Sequence, residues 1–306
     1  MPRKVLITGA GGFIGRNLWG HLDRQGYDII ACMPCEPADC ALPRGQRLLI
    51  RIPDERLAAA LARERPDYAV HCAGGASVKR SFALPALDFA NNVIATESLA
   101  GAVAASSPET KMIFISSAAV YGNPVALPIR EDAAPAPISP YGFHKLMGEL
   151  ICQKYHRLHG VPVTILRVFS AYGPGLRKQI LWDVYQQWRA SETISLHGSG
   201  GESRDFIFID DLVNTIHLVM ERASFSAEVL NVAEGRAISV RRLVALMLTA
   251  LGASKRLCFT HILERGDPQH WRADVTRLRA IGVEPGLPIE RGLEAYVHWL
   301  RAAERI

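Results

Sequence analysis

The first 168 residues alternate between short apolar runs and segments with helical periodicity. The apolar runs lack polar alternation, which is typical of strands buried on both faces of a parallel sheet. Strands are predicted at residues 4–10, 27–32, 47–52, 68–74, 111–117 and 161–169. Helices are predicted between them at about 14–25, 54–66, 87–106 and 141–159. Repeated strand–helix units predict an α/β fold with a doubly wound parallel sheet.

The regular alternation fades after residue 170, which predicts a smaller C-terminal lobe. We expect the chain to cross the boundary between the two parts more than once. The predicted dinucleotide-binding domain spans residues 1–168 and a returning segment at about 211–235. The predicted substrate-binding lobe spans residues 169–210 and 236–306.

Composition narrows the class of protein without identifying it. The chain has 306 residues, 49% of them hydrophobic and 21% charged, with a net charge of +5. It has no block of basic residues, so nucleic acid is not an expected partner. No apolar run approaches the roughly 20 residues of a membrane span, and a cytoplasmic enzyme is expected. Cys32 and Cys35 have the Cys-x-x-Cys spacing, but Pro34 indicates a loop, so reduced thiols and no metal site are expected.

A glycine-rich segment joins the first predicted strand to the first helix. In "TGAGGFIG", Gly9, Gly12 and Gly15 flank Phe13 and Ile14. Glycines at this spacing permit a tight turn, close backbone approach to a pyrophosphate and close packing of helix on strand. The helix N-terminus supplies free N–H groups to the anion. Because the motif lies between a strand and a helix, it predicts a Rossmann-type dinucleotide site.

A tyrosine and a lysine share one face of the helix that begins near residue 140. Tyr141 and Lys145 are spaced i, i+4, one turn apart. Ser116 and Ser117 end the fifth strand, 24 residues earlier. Ligands of open α/β sheets lie across the carboxyl ends of the strands, so these elements are expected to converge there.

Six ordered motifs resemble those of the extended short-chain dehydrogenase/reductase family. They are "TGAGGFIG", "HCAGGAS", "ISSAAVYG", "SPYGFHK", "LRVFSAYGPG" and "SRDFIFIDD". The resemblance covers nearly the whole chain and is strongest to the branch of nucleotide-sugar epimerases, reductases and dehydratases.

The resemblance implies a catalytic set of Ser117, Tyr141 and Lys145. Tyr141 would exchange a proton with a sugar hydroxyl while hydride moves to or from a nicotinamide. Lys145 and an oxidised nicotinamide would lower the pKa of Tyr141 toward neutrality. Ser117 would polarise the same substrate oxygen.

Further binding residues follow from the same resemblance. The implied cofactor-binding residues are Gly9, Gly12, Phe13, Ile14, Gly15, Met33, Arg51, Ile52, Ala73, Gly74, Asn92, Ile115, Tyr141, Lys145 and Val168. The implied substrate-binding residues are Ser170, Arg204 and Arg265. The family's arginine near the last position corresponds to Glu264, and Arg265 is its neighbour.

Departures from the family pattern reduce the number of reactions that are expected of this chain. The acidic pair that dehydratases use is replaced by Ala118 and Ala119, so 4,6-dehydration is disfavoured. A 4-epimerase and a 4-ketoreductase both remain open, acting on a nucleoside-diphosphate sugar. Ser170, where the family commonly has asparagine, keeps open a smaller non-nucleotide substrate. A non-catalytic cofactor-binding protein is a further alternative.

The resemblance also bears on the cofactor and on assembly. NAD-specific relatives carry an acidic residue at the position of Met33, and the epimerases carry a second one at the position of Arg51. NAD or NADP is therefore expected, with NADP modestly preferred. Helices at about 87–105 and 141–159 carry excess apolar surface, which predicts a homodimer through a four-helix bundle.

Overall fold

The computed structural model describes residues 2–36 and 42–304. The strands in these ranges are Lys4–Thr8 (β1), Asp28–Met33 (β2), Gln46–Leu49 (β3), Tyr68–His71 (β4), Lys111–Ser117 (β5), Val163–Val168 (β6), Ser170–Tyr172 (β7), Thr193–Leu196 (β8), Ser203–Phe208 (β9), Ser226–Val232 (β10), Ala237–Ser239 (β11) and Arg256–Phe259 (β12). The α-helices are Phe13–Arg24 (α1), Arg56–Glu64 (α2), Val78–Ala83 (α3), Pro85–Phe89 (α4), Ala95–Ser106 (α5), Pro140–His159 (α6), Gln179–Ala190 (α7), Ile209–Arg222 (α8), Val240–Leu251 (α9), Thr276–Ala280 (α10) and Ile289–Glu304 (α11). A π-helical turn, Ala90–Ile94, joins α4 to α5, and a 3₁₀ turn, Ala118–Tyr121, follows β5. None of the helices in the described ranges is both long and apolar enough to cross a membrane.

Seven parallel strands form the central sheet, in the order β10–β6–β5–β4–β1–β2–β3. Successive strands are added outward from β1 on one side, as β2 and β3, and then from β4 on the other side, so the strand order reverses between β1 and β4. The crevice above such a switch point is where open α/β sheets bind ligands. Helices α1 and α8 pack together on one face, while α2, α5 and α6 pack together on the other. Each face has its own buried apolar core. The predicted doubly wound α/β fold is confirmed.

The segments after β6 build smaller sheets beside the carboxyl edge of the large one. β7 lies parallel to β9, and β11 lies antiparallel to β9. A second ribbon pairs β8 with β12. Between these segments the chain returns through α8 to β10, which pairs with β6 as the seventh strand of the central sheet.

Two of the differences between predicted and observed elements have a clear physical cause. The third strand was expected to reach residue 52, but β3 ends at Leu49. The amide of Ile50 makes a last bond to the Met33 carbonyl, and Pro53 has no N–H to continue the ladder. The helix expected over 87–106 is divided by the π-helical turn. The Asn92 side chain donates to the Asp88 carbonyl, and the Thr96 hydroxyl donates to the Asn92 carbonyl, so side chains compete for the backbone bonds.

Candidate active site

Three closely packed glycines form the turn between β1 and α1. Gly9 has a φ of +67°, and the amide of Gly12 donates to its carbonyl at 2.9 Å. A side chain at Gly15 would collide with the Gly9 carbonyl, so glycine lets the helix approach the strand. Helix α1 begins without a side-chain cap and without an acidic residue in its first turn. Its first N–H groups and the positive end of its dipole can therefore receive a pyrophosphate.

The turn after β4 lies directly against this glycine turn. A Cβ atom on Gly9 would lie 2.6 Å from the amide nitrogen of Ala73. Thr8 joins the two turns, because its hydroxyl lies 2.6 Å from Nδ1 of His71 and accepts from the Ala73 amide at 3.3 Å. Burial lowers the pKa of His71 to about 3, so this imidazole is neutral and acts as a structural link. The structure brings these two predicted cofactor-binding turns together.

The side chains of Asn92 and Lys145 form a polar pocket around Gly74. A Cβ atom on Gly74 would lie 2.5 Å from Oδ1 of Asn92 and 3.3 Å from Nζ of Lys145. Oδ1 of Asn92 is buried and has no hydrogen-bond partner within residues 2–36 and 42–304. An unpaired buried acceptor beside an ammonium group is costly unless a further molecule completes the site. This pocket and the glycine turn fit a nicotinamide dinucleotide.

The end of β5 meets the start of α6 at the predicted catalytic residues. Ser139 caps α6 by accepting from the Gly142 amide at 3.1 Å, and this cap fixes the helical turn that carries Tyr141. Lys145 is buried one turn later, and its Nζ donates to the carbonyl of Ile115 at 2.9 Å. Ser117 is near enough to the Tyr141 phenol to lower its pKa, and Nζ of Lys145 lies 6.0 Å from the centroid of the Tyr141 ring. The structure therefore places all three side chains in one cluster.

Burial dominates the protonation of this cluster. It raises the pKa of Tyr141 to about 12, while a hydrogen bond from Ser117 acts in the opposite direction and the charge of Asp88 adds to the rise. Burial also lowers the pKa of Lys145 to about 8. The sequence predicted a pKa near neutrality for Tyr141, from Lys145 and an oxidised nicotinamide together. The protein groups alone do not produce it, because the desolvation of the phenolate outweighs them.

A buried ion pair that the sequence did not predict anchors α6 to the sheet. Arg167 of β6 donates to both carboxylate oxygens of Glu149, with Nε–Oε1 and Nη2–Oε2 distances of 2.9 and 2.7 Å. Ser116 donates to the same carboxylate at 2.5 Å. Glu149 lies four residues after Lys145, on the same helical face. This i+4 spacing was the one signal in the sequence that Glu149 lies on the same side of the helix as Lys145. The pair holds α6 in register with β5 and β6.

The predicted substrate-binding residues lie on separate elements around the crevice. Ser170 begins β7, two residues after Val168, which ends β6. Arg204 of β9 is half-buried above Trp271, with its guanidinium carbon 5.7 Å from the ring centroid. Among the residues that the structure describes, its side chain donates only to the main-chain carbonyls of Ser203 and Gln269. Burial lowers the pKa of Arg204, and the charge of Asp267 opposes that effect.

Arg265 occupies a different environment from Arg204. Its guanidinium carbon lies 4.4 Å from the centroid of the Phe82 ring, which belongs to α3. Its neighbour Glu264 lies 3.3 Å from Nε2 of His197 and 4.0 Å from Nζ of Lys79. Glu264 thus stands where the family pattern has arginine, and its carboxylate lies between His197 and Lys79.

The predicted adenosine-binding residues lie where β2 and β3 end. Met33 is buried in the last position of β2, and Arg51 is exposed beyond the end of β3. Arg47 is engaged by Glu36 at 2.7 Å. Asp54, beyond Ile52, is paired with Arg56 at 2.6 Å. Neither Met33 nor Arg51 carries a carboxylate, and the nearby carboxylates of Glu36 and Asp54 are each paired with an arginine.

The fold and this site define a family. The model of the NAD dependent epimerase/dehydratase family matches residues 5–233, and the chain belongs to that family. The resemblance to nucleotide-sugar epimerases is therefore confirmed.

Individual relatives match over almost their whole length. A UDP-glucose 4-epimerase of Mycolicibacterium smegmatis is 29% identical over 97% of this chain and 98% of its own. The structure of a UDP-glucose 4-epimerase from Thermotoga maritima with UDP-glucose is similar, with a TM-score of 0.91 and 28% identity over 98% of this chain and 99% of that one. A UDP-glucuronic acid 4-epimerase from Bacillus cereus, a tyrosine-to-phenylalanine variant with a fluorinated substrate analogue and NAD, has a TM-score of 0.89 and 26% identity over 98% and 99% of the two chains.

Proposed function

We propose that this protein is a nucleotide-sugar 4-epimerase that uses a tightly held nicotinamide dinucleotide. The observation that carries the proposal is the cluster of Ser117, Tyr141 and Lys145 beside the two glycine turns. The bound dinucleotide would accept hydride from C4 of the sugar and later return it. Relatives that bind UDP-sugars and NAD support this assignment.

The chain supplies the proton chemistry. Tyr141 removes the proton from the C4 hydroxyl as hydride leaves C4, and returns it to the oxygen in the reverse step. Ser117 hydrogen-bonds the same oxygen and steadies its developing charge. Lys145, buried and fixed by the Ile115 carbonyl, stabilises the phenolate form of Tyr141 electrostatically and can bind the ribose of the dinucleotide.

The two parts of the chain have different roles in this proposal. Residues 1–168 with about 211–235 bind the dinucleotide, and residues 169–210 and 236–306 bind the sugar nucleotide. Arg204, which has no ion-pair partner within 4 Å in the described ranges, would bind the diphosphate through its guanidinium group. Both ligands are metabolites of the cell interior, so the proposal places the protein in the cytoplasm.

A second candidate is a 4-ketoreductase that consumes reduced cofactor. Met33 and Arg51 favour it, because neither supplies a carboxylate to repel the 2′-phosphate of NADP. Reductive biosynthesis generally draws on NADPH, so a preference for NADP would favour the reductase.

The proposal is tested by incubating the protein and NAD with UDP-glucose, UDP-N-acetylglucosamine or UDP-glucuronic acid. Chromatography of the nucleotide sugars should show conversion to the 4-epimer, and the Tyr141→Phe protein serves as the control. Oxidation of NADPH with a 4-keto-6-deoxy nucleotide sugar, without epimerisation, would select the reductase instead. If no nucleotide sugar is converted, the proposal is wrong and a smaller substrate is favoured.

A further inference from the structure

A series of buried hydrogen bonds runs from the two cofactor-binding turns to the π-helical turn. The hydroxyl oxygen of Thr8, the last residue of β1, lies 2.6 Å from Nδ1 of His71. On the far side of the ring, Nε2 of His71 lies 3.2 Å from the hydroxyl of Thr96, in the first turn of α5. All three side chains are fully buried, and Phe114 of β5 stacks on the imidazole with ring centroids 5.9 Å apart. The imidazole is therefore held between two hydroxyl groups, one at each nitrogen.

The direction of each bond follows from the protons that are available. Thr96 donates its one hydroxyl proton to the Asn92 carbonyl at 2.5 Å, so its oxygen can only accept from Nε2–H of His71. Burial lowers the pKa of His71, and the imidazole is neutral. Nδ1 is then an acceptor, and the Thr8 hydroxyl donates to it while accepting from the Ala73 amide. The hydrogen bonds thus run in one direction, from the Ala73 amide to the Asn92 carbonyl.

The last bond of this series supports the π-helical turn. The turn has its own i→i−5 bond, from the Ala95 amide to the Ala90 carbonyl. A hydroxyl group that bonds a main-chain carbonyl competes with the α-helical bond to that carbonyl and so favours the departure from α-helix. A π-helical turn contains one residue more than an α-helical turn, so its loss would rotate Asn92 by about 100° relative to α5. The buried hydrogen bonds therefore fix the direction in which Asn92 points.

The Asn92 side chain points into the polar pocket around Gly74. Its Nδ2 donates to the Asp88 carbonyl of α4 at 3.0 Å, and the Asp88 carboxylate lies 2.6 Å from Nδ1 of His144 on α6. Its Oδ1 faces Gly74 and has no hydrogen-bond partner among the residues that the structure describes. A buried acceptor without a partner in the protein is satisfied when a ligand supplies a donor. The hydroxyl and carboxamide groups of a nicotinamide dinucleotide are such donors.

We infer that Thr8, His71 and Thr96 are positioning residues for the cofactor, because they hold Asn92 with its free acceptor turned toward the dinucleotide. The inference rests on the dinucleotide site of the proposed function and not on the sugar chemistry. Because Thr96 and His71 act through Asn92, their substitution should weaken cofactor binding only while Asn92 is present.

Calorimetric titration of the cofactor-free protein with NAD tests this dependence. Thr96→Val removes the hydroxyl with little change of shape and should weaken NAD binding about tenfold, the effect of losing one buried hydrogen bond. Asn92→Ala should weaken it to a similar extent. The double variant should bind NAD no more weakly than Asn92→Ala, because both substitutions remove the same contact. Thr96→Ser retains the hydroxyl and should bind NAD like the unmodified protein.

Thr110→Val is the matched control. The Thr110 hydroxyl is also fully buried and donates to the Pro66 carbonyl at 2.7 Å, but Thr110 precedes β5, at the opposite end of that strand from Ser117. Urea unfolding should show a loss of stability in both valine variants. NAD affinity should fall only in Thr96→Val, which separates positioning of the cofactor site from a general loss of stability.

Nitrogen-15 NMR of the unmodified protein tests the direction of the bonds without any substitution. The His71 ring, identified among the ten histidines by its contacts with Phe114, should have a protonated Nε2 and an unprotonated Nδ1 throughout the neutral pH range. This measurement decides the matter if the valine variant does not fold.

A loss of NAD affinity that serine restores, and that disappears when Asn92 is already alanine, supports the inference. The opposite tautomer, additive losses in the double variant, or unchanged NAD affinity in Thr96→Val would overturn it. Absence of sugar conversion by the unmodified protein would contradict the proposed 4-epimerase, whereas the NAD titrations would still decide the role of these residues.

Discussion

The ammonium group of Lys145 donates to the main-chain carbonyl of Ile115 at 2.9 Å. One of its three donors is therefore committed to β5, which leaves two for further acceptors. This bond also fixes the distance between α6 and the strand that carries Ser117. The geometry of the proposed catalytic cluster thus depends on a contact with main chain, which no side-chain pattern encodes.

Replacing Tyr141 by phenylalanine should reduce turnover by a factor on the order of 10²–10⁴. The reason is the loss of the one group placed to exchange a proton with the sugar hydroxyl. Steady-state rates with the best nucleotide sugar measure the effect, and NAD affinity, measured by fluorescence, should stay nearly unchanged. Activity close to that of the unmodified protein would remove Tyr141 from the mechanism.

Replacing Lys145 by methionine should abolish turnover and yet stabilise the cofactor-free protein at pH 7. The folded-state pKa of Lys145, about 8, is below its ordinary value of 10.5, so folding is penalised while the amine is protonated. Methionine removes that penalty but leaves the Ile115 carbonyl unpaired, for a net gain of about 1–2 kcal/mol.

The sign of the pH dependence is fixed by the same values. Below pH 8 the unmodified protein carries the full penalty, and between pH 8 and 10.5 the unfolded chain binds more protons than the folded one. The advantage of the methionine variant should therefore shrink across that range. Denaturant unfolding at pH 7, 8.5 and 10 checks this, and an advantage that grows with pH would contradict it.

The protein should accept NADP as well as NAD. Met33 and Arg51 present no carboxylate to a 2′-phosphate, and the nearby Asp54 is paired with Arg56. Dissociation constants for both cofactors on the cofactor-free protein test this. Met33→Asp should weaken NADP selectively, while Asp23→Asn, outside this region, should not. Tenfold tighter NAD binding by the unmodified protein, about 1.4 kcal/mol, would refute the prediction.

Light scattering should show a homodimer at micromolar concentration. Helices α4 and α6 and the π-helical turn expose a set of large apolar side chains: Leu87, Phe89, Ile94, Phe143, Met147 and Leu150. Such a set on neighbouring helices is characteristic of a helical interface. Leu150→Glu should yield monomers, whereas Leu49→Glu, on an exposed strand elsewhere, should not. A monomeric unmodified protein would contradict the prediction.

Removing the carboxylate of Glu149 should cost about 3–5 kcal/mol of unfolding free energy, because Arg167 is left buried without a counter-ion. Glu109→Ala, which breaks an exposed pair with Arg65, is the matched control and should change stability little. Urea unfolding of both variants measures the difference. Equal effects would show that the buried pair does not anchor α6.

Periodicity and motif spacing were sufficient to predict the sheet and the glycine turn, because both depend on local sequence. The convergence of Ser117 with Tyr141 followed from a general property of parallel sheets, whose carboxyl ends share one edge. The Asp88–His144 and Glu149–Arg167 pairs were not predicted. Each joins residues on different elements, and their pairing depends on tertiary packing.

Loops limited the prediction of the substrate side for a similar reason. Arg265 lies on the Phe82 ring because the loop that carries it packs against α3. The exposure of Arg265 and the contacts of its neighbour Glu264 follow from the path of that loop, which no periodic pattern specifies. The division of the helix over 87–106 depends on side-chain bonds of Asn92 and Thr96, which periodicity does not register.

The return of the chain to the central sheet as β10 has a consequence for synthesis on the ribosome. β6 is made first and pairs with β5, but its other edge stays open until Val232 has emerged. Residues 169–225, which include β7, β8 and β9, separate the two strands. During that interval β6 is an unprotected edge that can pair with another nascent chain. A truncation before β10 should therefore aggregate, even though it would retain every residue of the Ser117, Tyr141 and Lys145 cluster.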